Sequence, residues 1–230
     1  MLSFPVQVAP PAQSATDFVF ETLYKAIVKL LLPPGSRVSE AEVAERLQVS
    51  RQPVRDAFFR LANRGFVVIR PQRATLITKI SEAEVLRSAF IRVALETACM
   101  REAVARVTPA DIADLRQVID AQGDAVTRSD SSAFHDLDEA LHARLCEVAG
   151  HPKVWDLIRE QKGHMDRARF LSLSFNQATA HQEHITILDA MEARDTELAI
   201  SLLDSHLTKI RTHLARIRRE HGQFFEDDAT

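Results

Sequence analysis

Asp138 and His142 stand four residues apart, and His184 and His206 follow in two later stretches of apolar pattern. On a helix, residues four apart lie one turn from each other on the same face. The pair borders the stripe Phe134, Leu137, Leu141, Leu145 and Val148, which turns it toward a helical interior. His184 shares a face with Leu188 and Met191, and Leu202, Leu203, Leu207, Ile210 and Leu214 surround His206 at helical spacing. A single histidine in such surroundings is ordinarily a core residue hydrogen-bonded to a neighbour. Two of them on separate helices, together with an Asp–His pair, also form a set that can offset its shared desolvation by holding a divalent cation. The residues alone leave both readings open. His181, one turn before His184, is either a substitute ligand or a residue packed just behind the ligands. His135, His151, His164, His213 and His221 have no such partners and are expected at the surface or at helix ends.

A second chemistry lies upstream, in Val49-Ser50-Arg51-Gln52-Pro53-Val54-Arg55. Ser50 is a good N-cap, and Pro53 falls in the first turn, where a missing N–H costs little. Val54, Phe58 and Leu61 recur at helical spacing and face a core, while Arg51 and Arg55 lie four apart on another face beside Ser50 and Gln52. A short helix with forked cations at its N-terminal end suits the DNA major groove, where arginine grips phosphate or reads guanine bidentately.

The elements that position these groups follow from the pattern around them. Ser39 to Leu47 reads as a helix opened by Ser39 and Glu42 in capping-box spacing, with Gln48-Val49 as the tight turn into the Ser50 helix. Two helices joined so closely form a helix-turn-helix. Thr16 to Leu32 precedes them as an amphipathic helix ended by Pro33-Pro34-Gly35. Phe66–Arg70 and Thr75–Lys79 follow as two strands, with Gln72 and Arg73 at the turn between them. This makes residues 16–79 a winged helix-turn-helix domain. Arg73 is then either a wing contact to DNA or a solvated loop cation.

From Ile80 the strands vanish. Helices are expected over Ser81 to about Val107, Thr108 to about Val126, Ser129–Ser132 to Ala149, His151 onward with a bend near Gly163, Asn176 to Ala193, and Thr196 to about His221. Six helices with short links form an antiparallel bundle over residues 80–222. Residues 1–15 read as a Pro-rich lead-in, and residues 223–230 as a frayed acidic tail.

At this point the sequence resembles the GntR family of bacterial transcription regulators. The resemblance rests on Pro34-Gly35-Ser36-Arg37-Val38 and on Val49 to Arg55, and the helical remainder is similar to the FCD effector domain of the FadR-type subfamily. The resemblance implies a metal held by an Asp-x-x-x-His pair and by single histidines on the last two helices. Asp138, His142, His184 and His206 match those places. It also implies a small carboxylate effector at the open metal positions and a basic residue near Arg92 to clamp it, with Arg167 and Arg169 weaker candidates. Arg92 has a competing role as the i, i+4 partner of Glu96. Zinc, nickel, manganese or iron suits such a nitrogen and oxygen set, zinc first among them. Wings of this family commonly carry a glycine at the tip, where this chain has Arg73-Ala74.

Composition agrees with this organisation. The net charge of −3 hides an asymmetry: residues 1–79 carry 11 Lys and Arg against 6 Asp and Glu, a balance of +5, and the remainder is −8. A basic first third on an acidic chain is a nucleic-acid footprint confined to one domain. No run approaches the ~18 apolar residues of a membrane span, and the start of the chain lacks the basic and apolar blocks of an export signal. Cys99 and Cys146 are too few for a disulfide framework and read as core fillers in a reducing cytoplasm. The function expected is a cytoplasmic, homodimeric, ligand-responsive regulator of operator DNA, a repressor rather than an enzyme. A metal-dependent enzyme or a metal sensor built on the same Asp/His set is the alternative.

Overall fold

The computed structural model describes residues 14–70 and 74–227. The chain divides into two compact units, with the divisions falling after Glu82 and again after Glu220.

The first unit opens with α1 (Ala15–Val28), capped by Ser14, whose side chain accepts from the Asp17 amide. This helix ends earlier than its apolar pattern predicts. Leu30 turns left-handed at φ 57°, the Leu32 amide donates back to the Ala26 carbonyl, and Leu32 drops into the core while Leu31 is left exposed. Then come β1 (Arg37–Val38), α2 (Glu40–Leu47), α3 (Arg51–Asn63), β2 (Val67–Val68) and β3 (Thr75–Ile77). The three strands form an antiparallel sheet in the order β1-β3-β2. The pairing of Arg37 with Leu76 was not legible, because a two-residue strand carries no period.

Phe18, Phe20, Leu23 and Ile27 of α1 pack with Val43 and Leu47 of α2, Val54, Phe58 and Leu61 of α3, and Phe66 and Ile77 of the sheet. Gln48 sits between α2 and α3 at φ 53°, a left-handed residue that closes the tight turn.

The chain end also belongs to this unit, against the expectation of a frayed tail from Phe224. The Ile80 amide donates to the Phe224 carbonyl at 2.8 Å, the Glu226 amide donates to the Ile80 carbonyl at 3.0 Å, and Phe225 is buried. An aromatic side chain in an acidic tail was the signal for that docking.

The second unit is all-helical: α4 (Glu82–Arg106), α5 (Pro109–Thr127), α6 (Ser131–Val148), α7 (Pro152–Gln161), α8 (Gly163–Glu192) and α9 (Thr196–His221). Thr108 and Asp111 make a reciprocal capping box at the start of α5, with Pro109 in its first turn. The break expected as a bend near Gly163 is a boundary at Lys162. No break occurs at Asn176, and α8 passes through it for 30 residues. The core joins Met100 and Val104 of α4, Leu115 and Ile119 of α5, Leu141 and Leu145 of α6, Leu188 and Met191 of α8, and Leu203 and Leu207 of α9. Cys99 and Cys146 are both free thiols in this core. No described helix is long and apolar enough to cross a membrane.

Candidate functional site

In the first unit, the buried stripe Val54, Ala57, Phe58 and Leu61 fixes α3 against the core and leaves Arg51, Gln52 and Arg55 exposed on the other side. Ser50 holds the N-cap position with extended backbone, but its hydroxyl makes no capping hydrogen bond, contrary to the sequence expectation. Gln52 donates to Asp56 at 2.9 Å, and Arg55 is paired with Glu40 of α2. Arg73 lies outside the described residues.

In the second unit, the helices bring Asp138 and His142 of α6, His184 of α8 and His206 of α9 together, with one donor atom from each within 4.8 Å of all the others. His184 Nε2 lies 3.3 Å from His206 Nε2 and 3.6 Å from Asp138 Oδ1, and His142 Nε2 lies 3.9 Å from the same oxygen. Ligands about 2.1 Å from a tetrahedral ion are about 3.4 Å apart, so the spacing suits a shared cation.

The outer faces of the rings decide the protonation. His184 Nδ1 donates to Gln122 Oε1 at 2.8 Å, and His206 Nδ1 donates to Glu183 Oε2 at 2.8 Å. Glu96 Oε2 lies 2.6 Å from His142 Nδ1. Acceptors on the Nδ1 atoms of His184 and His206 put the ring proton there and leave those two Nε2 lone pairs facing one another and the Asp138 carboxylate. Both His142 nitrogens are buried without a hydrogen bond, Nδ1 beside the Glu96 carboxylate and Nε2 toward Asp138. Lone pairs converging on a carboxylate in a buried setting need a cation between them. The residues present therefore fit a divalent ion.

Electrostatics keep the set in its binding form. Burial, then the neighbouring rings, pushes His206 down to about 3 and holds His184 well below the usual histidine range, so both are neutral near pH 7. For Asp138 burial works the other way, but nearby positive charge, that of Arg169 first, outweighs it and holds the carboxyl well below its usual range. Arg169 Nη2 donates to both Asp138 oxygens at 2.8 Å. Glu96 is likewise held ionised against burial by Arg92 and His142.

Of the two roles open to Arg92, the structure realises the ion pair: the buried guanidinium donates through Nε to Glu96 Oε1 at 2.5 Å and through Nη2 to Oε2 at 3.3 Å. It also lines a cleft with Arg169, Ser172, Asn176, Glu183 and His206. Arg167 is fully buried beside His164 at 2.7 Å and is not among the residues of that cleft. His181 is not in the cluster. Its Nε2 donates to the Ile119 carbonyl at 3.1 Å, and it fills the space that Gly123 leaves, where a Cβ would meet the ring at 3.1 Å. His135 is buried against Phe170 rather than at the surface, and His213 lines the same cleft as His206.

Glu96, Gln122 and Glu183 escaped the sequence reading as partners of the rings. For Glu96 and Gln122 a signal was present. Ser88, Arg92 and Glu96 are polar residues in the buried stripe of α4, and Gln122 continues the buried series Ile112, Leu115 and Ile119 of α5.

Comparison with known proteins adds two family matches: residues 15–77 match the model for bacterial regulatory proteins of the gntR family, and residues 88–209 match the FCD domain. The HTH-type transcriptional repressor RspR of Escherichia coli K12 is 34% identical over 222 residues, spanning 95% of this chain and 96% of that protein. The Nta operon transcriptional regulator of Aminobacter aminovorans is 27% identical over 76% of this chain and 83% of its own length. Among solved structures, E. coli McbR/YncC superposes with a TM-score of 0.78 at 22% identity, covering 91% of this chain and 99% of that one. A GntR regulator from Rhodococcus sp. RHA1 gives 0.74 at 22% identity over 91% of this chain and 100% of its own. The relatives are transcriptional regulators, not enzymes.

Proposed function

Because the chain belongs to the GntR family of bacterial regulatory proteins and carries an FCD ligand-binding domain, it is a DNA-binding transcriptional regulator, and on that premise we propose a repressor whose hold on operator DNA is set by a small carboxylic acid bound at a divalent metal ion. The observation that carries this reading is the convergence of three Nε2 atoms and one Asp138 oxygen, with the Nδ1 atoms of His184 and His206 hydrogen-bonded outward and that of His142 beside Glu96. Asp138, His142, His184 and His206 would hold the ion, zinc before nickel, manganese or iron. The ion would supply positive charge and an open coordination position to a carboxylate oxygen.

The two arginines beside the centre support an anionic effector. Arg92 and Arg169 line the cleft that His206 opens onto, within an ion-pair network that also holds Glu96, Asp138, Glu139, Asp166, Lys162, Glu183 and Lys209. A divalent ion adds positive charge there, which a carboxylate at the cleft would offset in part. Arg92 and Arg169 would orient the acid while holding Glu96 and Asp138, and Ser172 and Asn176 offer polar contacts farther along the cleft.

The four ligands come from three helices, so a change in coordination biases how α6, α8 and α9 pack. Two winged helices in a homodimer would read a pseudo-palindromic operator, with Ser50, Arg51, Gln52, Arg55 and Arg73 toward DNA. The name of the E. coli relative supports repression.

The test is binding to a duplex selected from a random library, read by fluorescence anisotropy across a panel of small carboxylic acids, with metal-loaded and chelator-treated protein. One acid is expected to change DNA affinity by about 5–150-fold, to lose that effect on chelation, and to be recovered unchanged. Turnover of the acid would make the protein a metalloenzyme. A response to metal alone, with no acid effect, would make it a metal sensor.

A further inference from the structure

Glu40 is the first residue of α2, an acidic side chain held against the element that carries the arginines. Its backbone is fixed by the turn before it: the Glu42 amide donates to Ser39 Oγ at 3.2 Å, and that hydroxyl donates to Glu42 Oε2 at 2.8 Å. From this position Glu40 reaches across to α3. Arg55 donates to it through Nε at 3.3 Å and through Nη2 at 3.1 Å.

A guanidinium has two edges able to make paired hydrogen bonds. Glu40 occupies the edge formed by Nε and Nη2. The outer edge, formed by Nη1 and the second N–H of Nη2, is left for another planar acceptor pair. Guanine O6 and N7 form such a pair in the major groove.

We propose that Glu40 is a positioning residue for DNA recognition, which fixes the plane of Arg55 so that its outer edge reads one guanine of the half-site. This rests on the reading of Arg55 as a base-contacting residue. Three features favour it over a purely structural role. The pair is exposed, Arg55 at 51% and Glu40 at 32%, and an exposed ion pair adds little to stability. The pairing is two-point and edge-specific, which fixes orientation as well as distance. A carboxylate beside a DNA-binding arginine also repels phosphate, so it weakens sequence-independent binding. It is useful there only if it sharpens discrimination.

Opposite signs for the two kinds of binding follow. The experiment uses the full chain and a duplex selected by the wild-type protein, together with versions carrying single guanine-to-adenine changes and a shuffled duplex. Arg55→Ala identifies the guanine it reads, by erasing a preference of about tenfold at that position. Glu40→Ala is expected to erase the preference at the same guanine while binding the shuffled duplex at least as tightly as wild type. Glu40→Gln, which keeps an acceptor oxygen, is expected to retain part of the preference. Glu40→Ala should add nothing to the preference lost in Arg55→Ala.

The proposal is overturned if Glu40→Ala keeps the full preference at the Arg55 guanine. It is overturned equally if the variant weakens all duplexes alike with a lowered melting temperature, which would make Glu40 only a helix-start residue. If Arg55→Ala changes no base preference, the underlying reading of Arg55 fails instead, and that outcome is separate because Glu40 plays no part in it.

Discussion

Stripping the divalent ion from the bundle is expected to lower the unfolding free energy by about 4 kcal/mol, relative to protein held at a free-metal concentration about 1,000 times its Kd. For a chain of this size that is a fall in Tm of roughly 8–16 °C. The effect is large because the site is assembled only by folding: its ligands lie on α6, α8 and α9, and the two nearest in sequence on different helices, His184 and His206, are 22 positions apart. An unfolded chain offers no such constellation, so the ion binds the native state alone. The stripped centre is also poor in itself, since His184 and His206 present lone pairs to each other at 3.3 Å. His206→Ala should melt near the stripped wild type and respond little to chelator. Identical melting of loaded and stripped wild-type protein would remove the metal from the account.

Replacing Glu96 by alanine is expected to destabilise the bundle by about 3–5 kcal/mol, because it leaves the Arg92 guanidinium buried without its carboxylate. Arg92 is 2% exposed and Glu96 3%. The same change removes the group beside His142 Nδ1 and should lower metal affinity by about 10–100-fold. The two effects separate in the double variant Arg92→Met, Glu96→Leu. An apolar pair of similar volume restores much of the stability, but nothing replaces the carboxylate beside His142 Nδ1, so metal affinity should stay low. Recovery of full metal affinity in the double variant would show that Glu96 serves only to neutralise Arg92. Thermal melts and metal titration on the two variants decide between these results.

Helical spacing turned Asp138, His142, His184 and His206 toward a helical interior, where the structure brings them together. As a metal-binding set they were singled out by the resemblance to the FCD domain and not by spacing alone. The sequence carried less of what depends on packing between elements. Glu96, Gln122 and Glu183 face the histidines across helix boundaries, and only a polar residue in a buried stripe betrays such a partner. Arg92 was equally open to an effector and to Glu96, since both use the same fork, and the structure shows the Glu96 pair.

Helix ends were the weakest reading. Leu30 adopts a left-handed conformation that leucine seldom takes, so the end of α1 fell inside an apolar run. Asn176 looked like a start, yet no proline or glycine interrupts α8 after Gly163. The docking of Phe225 beside Ile80 joins residues far apart in the chain: an aromatic in the tail signals that it docks, but no local pattern names its partner. His135 and His181 show the same limit from the other side: both find ordinary packing or hydrogen bonds away from the cluster.

The most direct test of the central claim is elemental analysis of the purified full-length protein joined to X-ray absorption at the edge of the metal found, on wild type and on Asp138→Ala, His142→Ala, His184→Ala and His206→Ala. The account predicts one ion per chain in wild type, bound by imidazole nitrogen and carboxylate oxygen, with occupancy lost or sharply reduced in each variant. A wild-type protein that takes up no divalent ion on titration, or an ion that persists unchanged in all four variants, would contradict it.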